Sequence, residues 1–83
     1  MSAVEIEDIV RLVSMQLGTR SVTPQDRLLE DLGAESADVV NLIARVEEKY
    51  RITLTETEIA KILTAQNLFE LVNTKLSGRL PEA

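Results

Sequence analysis

The stretch "LLEDLGAESADVVNLI", residues 28–43, decides how this chain reads. An acidic turn with one glycine, Gly33, delivers Ser36 to the start of the best amphipathic pattern in the sequence. Continued through "SADVVNLIARVEEKY", the pattern places Val39, Ile43, Val46 and Tyr50 within about 60° of one another on a helical wheel. Val40 and Leu42 flank that stripe. Ala37, Asn41, Ala44, Arg45 and Glu48 make up the opposite face. The spacing predicts a two-faced second helix that begins at Ser36.

Outward from this segment the chain keeps a helical rhythm. Upstream, "SAVEIEDIVRLVSMQL" sets Ile6, Ile9, Val10, Val13 and Leu17 on one face. Ser2 and Glu5 have the spacing of a capping box, and Gly18 is a natural stop, so the first helix is expected near Ala3 to Leu17. Between the two helices lie roughly eighteen residues, long for a loop in a compact domain. Pro24 can open a turn there, and Leu28, Leu29 and Leu32 supply apolar anchors, so the loop is expected to be pinned down. Downstream, Ile52 and Leu54 alternate briefly, and nothing else in the chain offers a strand to pair with them. Thr55 and Glu58 form another capping-box pattern, opening a short third helix through Ile62. Thr64 precedes a last helix with Leu68, Phe69, Val72 and Leu76 as its stripe. Residues 77–83 read as a flexible tail. The expected fold class is all-α: a small antiparallel four-helix bundle, three longer helices and a short third one, with a long loop between the first two.

Composition narrows the function. Eighty-three residues make one small domain, and 45% apolar content suffices to fold it. The chain has no cysteine and no histidine, which removes disulfides, thiolate metal sites and the commonest general base. Net charge is −5 and the aromatics are Tyr50 and Phe69 alone, a poor match to nucleic acid, which wants basic grooves and stacking rings. No apolar run approaches a membrane span. The first residues, "MSAVEIED", carry no basic segment, so no signal peptide is expected. A cytoplasmic protein fits this composition.

Chemistry is scarce. A serine nucleophile needs a base and an oxyanion hole. Lys49 and Lys61 sit at positions typical of solvated charges. Adjacent acids such as Glu30/Asp31 and Glu47/Glu48 do not face each other on a helix. The cluster of Asp26, Glu30, Asp31, Glu35 and Asp38 lacks the alternate spacing of a calcium loop, so no metal site is expected and the chain is not expected to be an enzyme. Two readings of Ser36 remain open. It can be the N-cap of the second helix. It can also carry a phosphodiester, since helix N-termini attract phosphate and Gly33 upstream suits either a positive φ or a close approach.

The residues "DLGAESADVVNLIARVEEKYRITL" resemble the attachment-site signature of acyl carrier proteins, in which Asp-Leu-Gly-Ala-Asp-Ser-Leu leads into an amphipathic helix. The resemblance runs without gaps through "TETEIAKILTAQNLFELVN" and reaches back over the first helix, to about Leu76. It implies a carrier domain over residues 1–76. It implies that a separate transferase, using magnesium, moves 4′-phosphopantetheine from coenzyme A to Ser36. The arm would then hold acyl groups as thioesters for fatty-acid or polyketide-type synthesis. The sulfur would belong to the cofactor, and the base to the transferase. Asp31, Leu32, Gly33 and Glu35 would complete the attachment motif. The acyl chain would tuck against Ile43, Val46, Leu54, Ile59, Ile62 and Leu68. Ala37, Asp38, Asn41, Ala44, Arg45 and Glu48 would dock the transferase and the acyl-loading and acyl-processing enzymes through basic surfaces on those partners. A monomer, with no nucleic-acid partner and no membrane insertion, is expected. An aminoacyl or peptidyl load, or an unmodified helical adaptor, are the alternatives.

Charge supports docking in its own right. Between Asp26 and Glu58 nine acids face four bases, a net −5 that equals the whole chain's charge. The chain also departs from the family pattern. Glu35 stands for the usual aspartate, Ala37 for leucine or methionine, Asn41 for an acid, Ala44 for methionine and Arg45 for a small residue. These changes favour a specialised carrier. Ile59 and Leu68 stand where the family is often small, which favours a tight pocket and a short or external load.

Overall fold

The computed structural model describes residues 4–19 and 21–77. Four helices follow one another: α1 Ile6–Leu17, α2 Ser36–Tyr50, α3 Glu56–Ala60 and α4 Ala65–Ser77. α1 packs against both α2 and α4, and the chain closes as the expected small all-α bundle. Ser77 ends α4 rather than starting the tail; the remainder of that expected tail, 78–83, lies outside the described residues.

Each helix buries the stripe its sequence displays. Ile9 and Val13 from α1, Leu42 and Val46 from α2, and Leu68 and Val72 from α4 are almost wholly removed from solvent. Each such side chain is worth about 1.5–3 kcal/mol on burial. On α2 the centre of the buried stripe is Leu42, Ile43 and Val46, while Val39 and Tyr50 are half-buried and Val40 is exposed. No polar or charged residue is buried among the described residues.

The helix ends are where expectation and structure part. α1 starts at Ile6, not Ala3, because Glu5 is its N-cap and the Glu5 N–H donates to Asp8 Oδ2 at 3.1 Å. Ser2, the expected cap, lies outside the described residues. Gly18 stops α1 as expected, at φ 71°, with its N–H on the Ser14 carbonyl at 2.9 Å. α3 opens at Thr55 with the expected box: Thr55 N–H donates to Glu58 Oε1 at 2.9 Å, and Glu58 N–H to Thr55 Oγ1 at 3.1 Å. It ends at Ala60 rather than Ile62 because the backbone tightens there. Lys61 N–H bonds the Glu58 carbonyl and Ile62 N–H the Ile59 carbonyl, both three residues back. Asn67 Oδ1 then takes the N–H groups of Leu63 and Thr64, each at 3.0 Å. Thr64 returns the bond, accepting Asn67 N–H at 3.1 Å, and so caps α4.

The long loop is pinned, and its fastening positions the site. Leu28 N–H donates to the Leu63 carbonyl at 2.9 Å, and Gln66 N–H to the Pro24 carbonyl at 2.8 Å. The loop is thereby tied to the α3–α4 junction. Leu28 is 1% exposed, whereas Leu29 is 51% exposed. Leu29 is therefore not the anchor its sequence suggested: tied at Leu28, the chain presents the next side chain to solvent. Ile52 and Leu54 form no strand among the described residues. Both are buried, and Leu54 N–H is satisfied by Glu47 Oε2 at 2.8 Å.

Candidate functional site

Ser36 occupies the first helical position of α2, not the cap. The cap is Glu35, in extended backbone, with its N–H donated to Asp38 Oδ2 at 3.0 Å. The N-cap reading of Ser36 is thus corrected, because a neighbouring acid already serves the helix start. Ser36 is exposed. In the first turn, Ser36 and Ala37 contribute N–H groups with no carbonyl four residues behind them. That leaves a hydroxyl, open to solvent, at the positive end of a fifteen-residue helix.

Two turns hold the approach to it. Gly33 adopts φ 74°, which glycine takes at little cost, and no atom lies within 4 Å of where a Cβ would stand. The glycine is required by backbone shape, not by close approach. Upstream, Asp31 accepts three hydrogen bonds from Arg27, one from its backbone and two from its guanidinium. It accepts the Arg27 N–H at 2.8 Å and the Arg27 Nε at 3.2 Å. The hydrogen bond from the Arg27 guanidinium, then that from its backbone, holds the Asp31 carboxyl below the usual aspartate range. Leu32 is half-buried behind this turn. Asp31, Leu32 and Gly33 shape the turn that leads to Ser36 rather than contributing reactive groups.

An open cleft of about 480 Å³ begins at Ser36. It is lined by Arg27, Leu28, Leu29 and Glu30 from the loop, Val39 and Val40 from α2, and Ile59, Ala60, Ile62 and Leu63 from α3 and the turn after it. Val40 and Leu63 are each 62% exposed, so the walls are apolar yet open to water. Large apolar side chains gathered in the open mark a binding surface. Of the six residues expected to contact an acyl chain, Ile59 and Ile62 line this cleft. Ile43, Val46, Leu54 and Leu68 are in the closed core instead. Sequence reasoning passed over Leu29, Val40 and Leu63 as site residues. Their signal was available: each is a large apolar residue that falls outside a buried stripe.

The residues expected to dock partners divide similarly. Ala37, Asn41, Ala44, Arg45 and Glu48 are exposed on the outer face of α2. Asp38 is half-buried and engaged at the helix start. Arg45 Nε donates to Gln16 Oε1 of α1 at 3.1 Å. Many acids counted as a steering field have local duties as well. Asp26, Asp31, Asp38, Glu47 and Glu58 each accept a backbone N–H. Their negative charge remains, and Lys75 offsets that of Glu58 at 2.9 Å. Among the described residues, no three acids converge as metal ligands, and no helix is long and apolar enough to cross a membrane.

The site's chemistry fits a serine that another protein modifies. It supplies an accessible hydroxyl, unpaired helix N–H groups beside it and an apolar shelf, but no base. Comparison with known proteins identifies the family. The phosphopantetheine attachment site family matches residues 7–72. The acyl carrier protein of Buchnera aphidicola subsp. Baizongia pistaciae is 33% identical over 66 residues, covering 77% of this chain and 85% of that protein. Among solved structures, the acyl carrier protein of Thermotoga maritima is 27% identical with a TM-score of 0.73, covering 88% of this chain and 87% of that one. The oxytetracycline acyl carrier protein shares the fold, with a TM-score of 0.78 at 24% identity, covering 100% of this chain and 93% of that one. A carrier built around a covalently attached phosphopantetheine, and not a catalyst, is what these likenesses describe: the chain belongs to the acyl carrier protein family.

Proposed function

We propose that Ser36 is the attachment residue and that the chain carries acyl intermediates for a specialised synthase. The observation that carries this reading is the position of Ser36: exposed, first in α2, at the head of an apolar cleft. Its hydroxyl would attack the phosphorus of coenzyme A next to the pantetheine. The new bond is Ser36 Oγ to phosphorus. The bond that breaks joins that phosphorus to the bridging oxygen of the pyrophosphate, and adenosine bisphosphate leaves with that oxygen. The proton goes to a base of the transferase, whose magnesium steadies the phosphates. The resulting phosphodiester would sit against the Ser36 and Ala37 N–H groups, where negative charge is favoured. Once attached, the arm supplies a thiol that holds an acyl group as a thioester.

Residues 1–76 make up the carrier domain, which works as a cytoplasmic monomer. Arriving enzymes meet the outer face of α2 through basic surfaces, steered by the acids around Ser36. Glu35, Ala37, Asn41, Ala44 and Arg45 differ from the common family pattern, which supports dedicated partners rather than general fatty-acid enzymes. The open cleft supports a load that lies along Leu29, Val40, Ile59 and Leu63, not one sealed in the core. A short or polar acyl group, as in polyketide-type synthesis, tolerates such partial exposure; a long alkyl chain would keep much of its area in water.

The test is an intact-mass measurement after incubation with coenzyme A, magnesium and a broad-specificity transferase. The expected result is a gain of one arm in the wild type and none in Ser36→Ala. No gain with several transferases would favour an unmodified adaptor. Because Ser36 is not the cap, Ser36→Ala should change stability by no more than about 0.5 kcal/mol, so lost labelling would not reflect unfolding.

A further inference from the structure

Away from Ser36, a second groove runs between α1 and α2. Its α1 wall carries Arg11, Met15 and Gln16, and its α2 wall carries Ala44, Arg45 and Lys49. Two adjoining hollows share Arg45 and Glu48 and so form one trough. Met15 is 67% exposed in it, more than any other large apolar residue described.

The cations of this trough are free of ion pairs, as are Arg51 and Lys61 elsewhere among the described residues. Arg27 is paired with Glu30 and Asp31, and Lys75 with Glu58. Among the described residues, Arg11, Arg45 and Lys49 join no ion pair, although the chain has acids in excess. Lys49 lies in the last turn of α2, where a cation suits the helix dipole, and its ammonium stands 5.8 Å from the Tyr50 ring centre. Arg11 and Arg45 are mid-helix and have no such reason. Arg45 is instead held across the gap by its hydrogen bond to Gln16. The local acids are Asp8 and Glu48, so three cations stand against two acids. The trough is therefore locally cationic on a molecule of net charge −5, with an exposed, flexible thioether among its lining residues. Methionine adapts to varied apolar partners, and arginine forks match carboxylates in two places at once.

We propose that this α1–α2 trough is a second docking surface, which takes an acidic amphipathic segment of a partner protein. Its carboxylates meet Arg11, Arg45 and Lys49, and one apolar side chain covers Met15. Charge complementarity carries the choice of occupant: a basic partner would instead be drawn to the acids around Ser36. The surface does not require the arm, and it shares Ala44, Arg45 and Glu48 with the outer face of α2, so an acidic segment seated here would compete with enzymes that dock on that face.

The test is an NMR titration of the full chain, labelled on nitrogen and on methionine methyls, with a synthetic helical peptide rich in glutamate and bearing one central leucine. The expected result is movement of the Met15 methyl and of the Arg45 and Lys49 amides, with Ser36 undisturbed. Affinity should fall about tenfold or more in Arg11→Glu/Arg45→Glu and weaken with added salt. A matched peptide with glutamine for glutamate should not bind. The amide spectrum of the double variant reports whether it is folded, and Arg45→Gln offers a milder second variant. Three outcomes would each overturn the proposal: no shift at Met15, equal binding of the glutamine peptide, or unchanged affinity in the folded variants. Met15 shifts that follow protein concentration without peptide would assign the trough to a second copy of the chain and overturn the partner. Because Ser36 modification is scored by mass on the same protein, failure here leaves the carrier reading standing, and the converse holds too.

Discussion

Two hollows draw on the same helix and could hardly differ more. The one at the head of α2 is walled by Leu29, Val40, Ile59 and Leu63, with Ser36 at its entrance. The one between α1 and α2 is rimmed by Arg11, Arg45 and Lys49 around a single exposed methionine. The first suits a small apolar load delivered from a covalent anchor. The second suits a protein surface of opposite charge. One helix borders both because they lie at different points along it: its first turns supply Ser36, Val39 and Val40 to one, and its later turns supply Arg45 and Lys49 to the other.

The sharpest way to break this picture is to unfasten the first hollow. Leu28→Ala removes a fully buried side chain that ties the loop to the α3–α4 junction, and should cost about 2–5 kcal/mol in denaturant unfolding. Leu29→Ala, one residue on, should cost no more than about 0.5 kcal/mol, since Leu29 faces solvent. Equal costs would mean that the loop does not divide core from cleft at this point.

Leu63→Asp tests the cleft without touching the core. With Leu63 exposed, stability should move by about 0.5 kcal/mol or less. A loaded apolar acyl group should nevertheless lose its chemical-shift contacts with Ile59. Contacts that persist would place the load elsewhere.

Acid titration separates the fastened acids from the free ones. Asp31 is held low chiefly by Arg27, and Glu58 chiefly by the Thr55 N–H and then by Lys75. Both folded-state values lie below the ordinary 3.8 and 4.5, so each contributes stability that is present above those ordinary values. That contribution is lost as pH falls through the folded value. Carboxyl carbon shifts should show both midpoints displaced downward, and Lys75→Met should raise that of Glu58. An unchanged midpoint in Lys75→Met would remove the ion pair from the account.

The smallest effect concerns the far end of α2. Arg51 caps that helix in left-handed backbone at φ 57°. Arg51→Gly should relieve that conformation and, after glycine's entropy cost, stabilise the chain by about 0.5 kcal/mol. A loss of similar size would mean that the arginine side chain contributes more than its backbone costs.

The helices were legible in the sequence because their apolar stripes recur at helical spacing, and α2 runs over the fifteen residues its pattern predicts. Ends were harder. Acids do the capping at Glu5 and Glu35, through Asp8 and Asp38, where hydroxyl caps are the stronger sequence signal. Periodicity also could not distinguish a buried leucine from an exposed one in the loop, because Leu28 and Leu29 differ only through a backbone bond to Leu63. The cleft needs the loop, α2 and α3 brought together in space, so the sequence could mark Leu29, Val40 and Leu63 as apolar residues outside the buried stripes but not show that they meet. Ser36 stood out early because a motif, unlike a cavity, is local.

Trypsin cleavage after Arg27 and Arg45 isolates residues 28–45, a peptide whose sole hydroxyl side chain is Ser36. After transfer from coenzyme A, fragmentation of that peptide should locate the phosphopantetheine arm on Ser36, with every other peptide unmodified. An arm on any other peptide, or an unmodified 28–45 peptide after transfer has gone to completion on a control carrier, would contradict the assignment.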